Sequence, residues 1–380
     1  MSEAGGEQHL RSKTFRALQT LKQHRGHAGG EGVLLQQEAQ HKKGLFGGKQ
    51  SHWWTLFMRL RGRPFPIWPW SIYIAYVAVV VVLCMYFWYK PANGIPYSDD
   101  YTTRQMWQLS KTDSMISFIG IAVFLLLGFR NTQAYMRWDR GNQEFRDMVG
   151  NLNEAGSGLA MELLPGKPDV CRELLWWLAT IAESVKLAVR EADADDVADV
   201  ATLLPPRQAE AFEQPGLTPQ QRIWHVIYTF KGRCKLLDSK AADRPLGYVA
   251  YNIGSILRIY NTPMPFGYIA HLRIFLFFWL ACLPWYFVTQ FRWHSFIWCS
   301  LIGYAVLGVE EVATEVEQPF GTQFNDLPLD AITGGLMDNL ELYLGYVHAA
   351  EAGSHASVDE EGEQKSEGDD SLDKTGNEAV

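Results

Sequence analysis

The sequence predicts an all-α, polytopic membrane protein, and three observations predict it. Four apolar runs occur, each about long enough to cross a bilayer or nearly so. Apolar residues between the second and third runs return at three- and four-residue spacing, the period of a helix. No strand-rich block is visible between residues 130 and 268.

Composition agrees. The chain has 380 residues, 47% of them hydrophobic, and its 20% charged residues fall below the ~25% of an ordinary soluble protein. A mean hydropathy of −0.12 averages apolar runs with polar ends. Wholesale disorder, a collagen-like chain and a small disulfide-stapled domain are excluded. The five cysteines form no CxxC pair, and Cys84, Cys282 and Cys299 lie inside apolar runs, as packed side chains do. Residues from Glu351 onward hold ten acidic residues against Lys365 and Lys374, which accounts for the whole net charge of −8. The remainder is near neutral, and a nucleic-acid partner would call for a basic surplus there.

Residues 1–50 read as a disordered polar N-terminal tail with no apolar stretch able to act as a signal-peptide core. Phe15, Leu18 and Leu21 stand at the spacing of a short amphipathic helix within it. The first span is Ile67–Tyr89, uncharged, with Trp and Tyr crowding both ends. Arg59, Arg61 and Arg63 precede it and hold the N-terminus on the cytoplasmic side. The second is Ser114–Phe129, short, and ended abruptly by Arg130 and Asn131. The third is Ile269–Val288, with His271, Arg273 and Pro284 inside it. The fourth is Trp293–Val309, stopped by Glu310 and Glu311, and its link to the third is so short that the two form a hairpin. Short spans with ionisable residues call for shielding by protein. Four crossings put both termini on one side, cytoplasmic or, in an organelle, stromal. They put 130–268 there as a helical domain. Plasma and organelle membranes both remain open.

Within 130–268, Phe145, Met148 and Leu152, then Leu174, Trp177, Leu178, Ile181 and Val185, mark helix faces. The Asp- and Pro-rich stretch Glu191–Gly216 breaks the pattern, and Thr218 reads as an N-cap with Pro219 at the first helical position. Residues 346–380 read as an acidic disordered tail. It would serve as a tether, a regulatory segment or a plain solubilising extension.

One face of the second span carries a candidate function. Ile121, Leu125 and Phe129 recur at i, i+4 and i+8, and Ser117 and Ser114 continue the face toward the far side. Such a stripe serves packing or, with polar groups at both mouths, a narrow ring that gates by dewetting. Arg130 and Asn131 stand where the inner mouth would be. Arg130 would there raise local anion concentration, or else anchor at the interface or pair with Asp139 or Glu144. The acidic set Glu310, Glu311, Glu315 and Glu317 would attract cations if it faced a vestibule; the arginines after the second span are its expected neighbours.

Three blocks carry a family resemblance. They are Leu127-Gly-Phe-Arg-Asn-Thr-Gln-Ala-Tyr-Met-Arg-Trp138, Asn261-Thr-Pro-Met-Pro-Phe-Gly-Tyr268, and the run from Glu317 through Pro319-Phe-Gly321 to Asp330. With Trp53–Trp54 they stand in order over roughly residues 50–345, and the chain resembles the bestrophin channels, more closely the bacterial, fungal and plant-organelle branch. The resemblance implies a channel domain over 51–345 and a homopentamer in a lipid bilayer, a barrel of helices around one central pore. The neck would be Ile121, Leu125 and Phe129. A cytoplasmic constriction would fall at Thr262, with Met264 beside it. Chloride or another small anion would pass; bicarbonate, nitrate or, as in some bacterial relatives, cations are alternatives. No cofactor is implied. Animal members bind calcium after Pro-Phe-Gly. Here the possible clasp is Asn325 and Asp326, but Asp326 is the one carboxylate of 321–326, thin for calcium. Asn325, Asp326 and Asp330 read instead as residues that cap and pin helices.

Enzyme chemistry is not expected: Walker A, a dinucleotide loop, HExxH and a nucleophile elbow are all missing from the sequence. A non-conducting membrane scaffold is the alternative of a different class.

Overall fold

The computed structural model describes residues 67–89, 113–164, 166–190, 193–323 and 325–346. The N-terminal tail, the arginines before the first span, Trp53–Trp54 and the acidic tail from 347 onward lie outside the described residues. In chain order the helices are α1 (Ile67–Tyr89), α2 (Asp113–Leu163), α3 (Pro168–Arg190), α4 (Ala194–Ala201), α5 (Pro206–Phe212), α6 (Pro219–Leu236), α7 (Asp243–Asn261), α8 (Phe266–Phe291), α9 (Ser295–Glu317) and α10 (329–346). No strand occurs among the described residues. Two compact units result: one ends its first segment at Asn142 and resumes over Ile259–Leu327, and the other takes Gln143–Arg258 and the chain from Pro328.

Among the described residues, three helical stretches are long and apolar enough to cross a membrane: Ile67–Tyr86, Ser114–Leu163 and Phe266–Glu317. The last contains α8 and α9, which pack together across the turn Arg292–His294. In the second, one helix joins the apolar run that ends at Phe129 to the polar stretch after it. Helix α2 runs unbroken for 51 residues, about 76 Å at 1.5 Å per residue. Arg130 and Asn131 change polarity but do not break a helix, and no proline interrupts α2. The Thr132 hydroxyl donates back to the Gly128 carbonyl at 2.9 Å, which keeps even that polar side chain within the helix's own bonding.

The core of the first unit joins α1, α2, α8 and α9. Val77, Val80, Val81 and Cys84 meet Val123 and Leu127, Leu276 and Leu280, and Val306 and Leu307. Greasy packing alone is slippery, and aromatic N–H and O–H groups fix its register. The Trp279 indole donates to the Ile116 carbonyl at 3.0 Å, Trp70 to that of Ser300 at 3.0 Å, and the Tyr76 hydroxyl to that of Ala281 at 2.8 Å. Two glycines admit the rings. A Cβ on Gly120 would stand 3.1 Å from Trp279, and one on Gly303 would overlap the Tyr73 ring.

In the second unit, Phe145, Met148 and Leu152 are fully buried, and so is the α3 stripe Leu174, Leu178, Ile181 and Val185. The capping box at Thr218 is present: Gln221 N–H donates to its hydroxyl at 3.2 Å, and its own N–H donates to the Gln221 side chain at 2.9 Å. The expected break at Glu191–Gly216 holds two short helices, α4 and α5, which bury Val197, Val200 and Phe212. Near the start of α10, Asp330 takes Lys186 at 3.1 Å and Arg190 at 2.6 Å. Asp330 thus pins α10 to α3 through charge. Burial raises its carboxyl pKa, but the two cations and their hydrogen bonds outweigh burial and hold it well below the usual carboxylate range. Burial pushes the Cys171 and Cys234 thiols up to about 11, so both stay protonated.

Two outcomes follow from this packing. Gly303→Ala lowers the thermal midpoint of the detergent-solubilised protein by the equivalent of about 1–3 kcal/mol through overpacking; Tyr73→Ala in the same chain removes the clash and recovers part of the loss. Asp330→Asn costs about 1 kcal/mol or less at neutral pH, since the carboxylate is half exposed and screened. A folded-state pKa held low gives stability that is complete above the unfolded value of about 3.9 and fades as pH falls below it. The gap between wild type and Asp330→Asn, followed by thermal melts from neutral pH into acid, closes on the acid side.

Candidate pore-lining site

Helix α2 has two unlike faces before residue 135. Val123, Leu127, Arg130 and Ala134 are buried against the rest of their unit. Half a turn away, Ile121, Leu125 and Phe129 are 68%, 58% and 56% exposed. Ser114, Ser117 and Asn131 are exposed as well. Within one chain, then, packing uses the opposite face and leaves the Ile121–Leu125–Phe129 stripe bare. Bulky apolar side chains left bare in a row want a non-aqueous or shared environment.

Of the two settings open to Arg130, the solvent-facing mouth and an ion pair, the side chain takes the ion pair. Its side chain is completely buried. Nε donates to Glu310 at 2.9 Å, and Nη2 to Thr314 at 3.2 Å and to Glu317 at 3.4 Å. These acceptors stand at i, i+4 and i+7, one stripe of α9. Arg273 of α8 shares two of them, reaching Glu310 at 2.8 Å and Thr314 at 2.9 Å. Two guanidiniums and two carboxylates therefore form one connected group. The partners of Arg130 are on α9, in place of Asp139 or Glu144. Glu310 and Glu317 are themselves buried, so two of the four glutamates are committed to arginines.

About two turns further along α2, Arg137 clamps backbone. Its Nη1 donates to the Thr262 carbonyl at 2.6 Å, its Nε to that of Glu317 at 2.8 Å, and its Nη2 to that of Ile259. Thr262 is exposed and Met264 half-buried on the loop Arg137 holds. Below α9, Asp326 is buried and its carboxylate accepts the Gln323 N–H at 2.6 Å. The Asn325 carbonyl receives the Trp138 indole at 3.0 Å, and the Leu327 N–H reaches the Pro319 carbonyl at 2.8 Å. A side chain on Gly321 would run into the Asp326 carboxylate. Asp326 thus pins a turn, and no group of three metal-ligating side chains occurs among the described residues. Arg273 and Thr314 are the members of the charged group that sequence reading did not assign. Charges inside apolar helices have to find one another, and the Glu310, Thr314, Glu317 spacing was the usable signal.

The family described as Bacterial/Fungal Bestrophin protein matches residues 47–341, most of the chain. The chain is a member of the bacterial and fungal bestrophin family. A voltage-dependent anion channel-forming protein of Synechocystis sp. is 26% identical to this bestrophin over 299 residues, 76% of this chain and 91% of that one. The voltage-dependent anion channel-forming protein YneE of Escherichia coli (strain K12) is 28% identical over 230 residues, 58% of this chain and 73% of its own. A solved bacterial bestrophin homologue from Klebsiella pneumoniae shares the fold at a TM-score of 0.61 and 24% identity, over 73% of this chain and 98% of that chain.

A turn held by its own carboxylate has little to offer a cation. Calcium at about 1 mM, ample for the weak end of protein calcium sites, leaves the thermal midpoint unchanged, whereas Asp326→Ala lowers it with or without calcium.

Proposed function

We propose that this bestrophin is an anion-selective channel that conducts chloride passively, and that it works as a homopentamer with four spans per subunit. Both termini face the cytoplasmic or stromal side. The observation that carries the reading is the bare stripe Ile121, Leu125 and Phe129, opposite the buried face of α2. Five copies of that stripe around an axis would make a short apolar neck. Moving a bare ion into hydrocarbon costs tens of kcal/mol in the Born limit, so the neck conducts while wet and closes when it dries. Ser114 and Ser117 feed one mouth with polar groups, and Asn131 the other. Thr262, with Met264 beside it, forms a second and less apolar narrowing.

Anion preference has four supports. The stripe from Ser114 to Phe129 contains no acidic residue, and the ring edge of Phe129 is electropositive. Glu310 and Glu317, which argued for cations, are matched by Arg130 and Arg273. The names of the Synechocystis and Escherichia coli relatives support the same activity.

Purified protein in planar bilayers should give unitary currents whose reversal potential follows a chloride gradient and ignores a sodium gradient. Leu125→Ala widens the neck and raises unitary conductance. Silence across voltage would favour a scaffold, and an unchanged conductance in Leu125→Ala would move the lining elsewhere.

A further inference from the structure

The apolar residues of α2 encircle the helix in its first turns. Ile116, Phe118, Ile119, Val123, Phe124 and Leu126 join the stripe itself. Burial of grease therefore chooses poorly between one rotation of this helix and the next, because nearly every side is greasy. Something directional has to choose. Two groups do. Near the start, the Trp279 ring lies over Gly120 and its indole bonds the Ile116 carbonyl. Just past Phe129, Arg130 reaches the α9 stripe.

We propose that Arg130 is a positioning residue: anchored to Glu310, Thr314 and Glu317, it sets the rotation of α2 and thereby decides which side chains the neck presents, while its own charge takes no part in attracting the ion. The proposal rests on the reading of Ile121, Leu125 and Phe129 as the neck. Arg130 follows Ile121 by nine residues, about half a turn away at 100° per residue. Advancing the helix by one residue position would swing the guanidinium about 100° from its acceptors, leaving the buried Glu317 carboxylate without Arg130 and Glu310 with Arg273 alone, and breaking a buried pair from one side is strongly destabilising. The planar fork matters. Nε and Nη2 address separate acceptors at once, which a lysine ammonium on a flexible stem does not reproduce. Arg273 holds Glu310 and Thr314 from the other side, so the acceptors do not drift with α2. Because two arginines face two glutamates, the group presents no formal surplus of either sign.

The test reads which face of α2 is accessible by labelling, and then the ion selectivity by reversal potential. Single cysteines are placed by Ile121→Cys, Phe124→Cys, Leu125→Cys and Gly128→Cys in full-length protein with Cys282→Ala; the other four cysteines are buried. Labelling by a charged methanethiosulfonate is followed by mass spectrometry on reconstituted protein. Adding Arg130→Lys should slow labelling at position 125 and speed it at 124 or 128, since thiol reactivity follows exposure. The chloride-to-sodium permeability ratio of Arg130→Gln, which removes the charge, should stay at the wild-type value. An unchanged labelling pattern, or a permeability ratio that falls while the pattern holds, overturns the proposal. Thr314→Val keeps every charge and removes a shared acceptor, so it covers the case in which Arg130→Lys does not assemble; it should shift the pattern the same way by less, and no shift overturns the proposal. Failure of the neck reading looks different: position 125 would label no faster than a buried position even with Arg130 intact.

Discussion

A guanidinium with no exposure to solvent must find its counter-charges inside the protein, and that requirement at Arg130 organises the helices around it. The carboxylates it needs come from α9, a second guanidinium from α8 balances them, and Thr314 bridges the two arginines. Three helices are thereby tied at one level by groups that work only as a set. Such sets add less stability than apolar packing of the same volume would, because desolvation offsets most of the attraction. What they add is direction, which the slippery apolar surfaces of α1, α2, α8 and α9 lack. The indole and phenol bonds of Trp70, Tyr76 and Trp279 serve the same end higher in the bundle.

Direction matters because α2 divides its duties by face. The side that holds Val123, Leu127 and Arg130 packs, and the side that holds Ile121, Leu125 and Phe129 stays bare. A stripe at i, i+4, i+8 says nothing by itself about which duty it performs. Burial of the opposite face separates the two within one chain, and the serines that continue the bare face grade it from polar to apolar.

Much of this was legible in the sequence. Apolar runs and their aromatic flanks announced the membrane-capable helices, because length and composition suffice for that. The three- and four-residue spacing announced the α3 stripe, and Thr218 with Pro219 announced the start of α6, since capping is local chemistry. The apolar run ends at Phe129 but the helix does not, because Arg130 and Asn131 mark a change of surroundings and carry no helix-breaking chemistry. The short helices α4 and α5 hid in an Asp- and Pro-rich stretch whose few apolar residues gave too brief a period. The acceptors of Arg130 lie 180 to 187 residues along the chain, a pairing that only three-dimensional packing reveals. The expectation that the glutamates of α9 neighbour arginines of α2 was sound; which arginine, and with Arg273 added, was beyond a linear reading. Asp326 shows the converse. A lone carboxylate after Pro-Phe-Gly suggested a pin over a ligand, and the pinned N–H of Gln323 lies only three residues away.

The clamp made by Arg137 bears on how such a chain can vary over generations. It grips the loop at Thr262 by carbonyl oxygens alone, and every residue type supplies a carbonyl. The side chain at 262 is therefore released from any duty in shaping its own loop. Exchanging it for something larger, greasier or charged should leave the backbone path in place. A lineage can thus retune the chemistry at that position by single substitutions without first inventing a new fold.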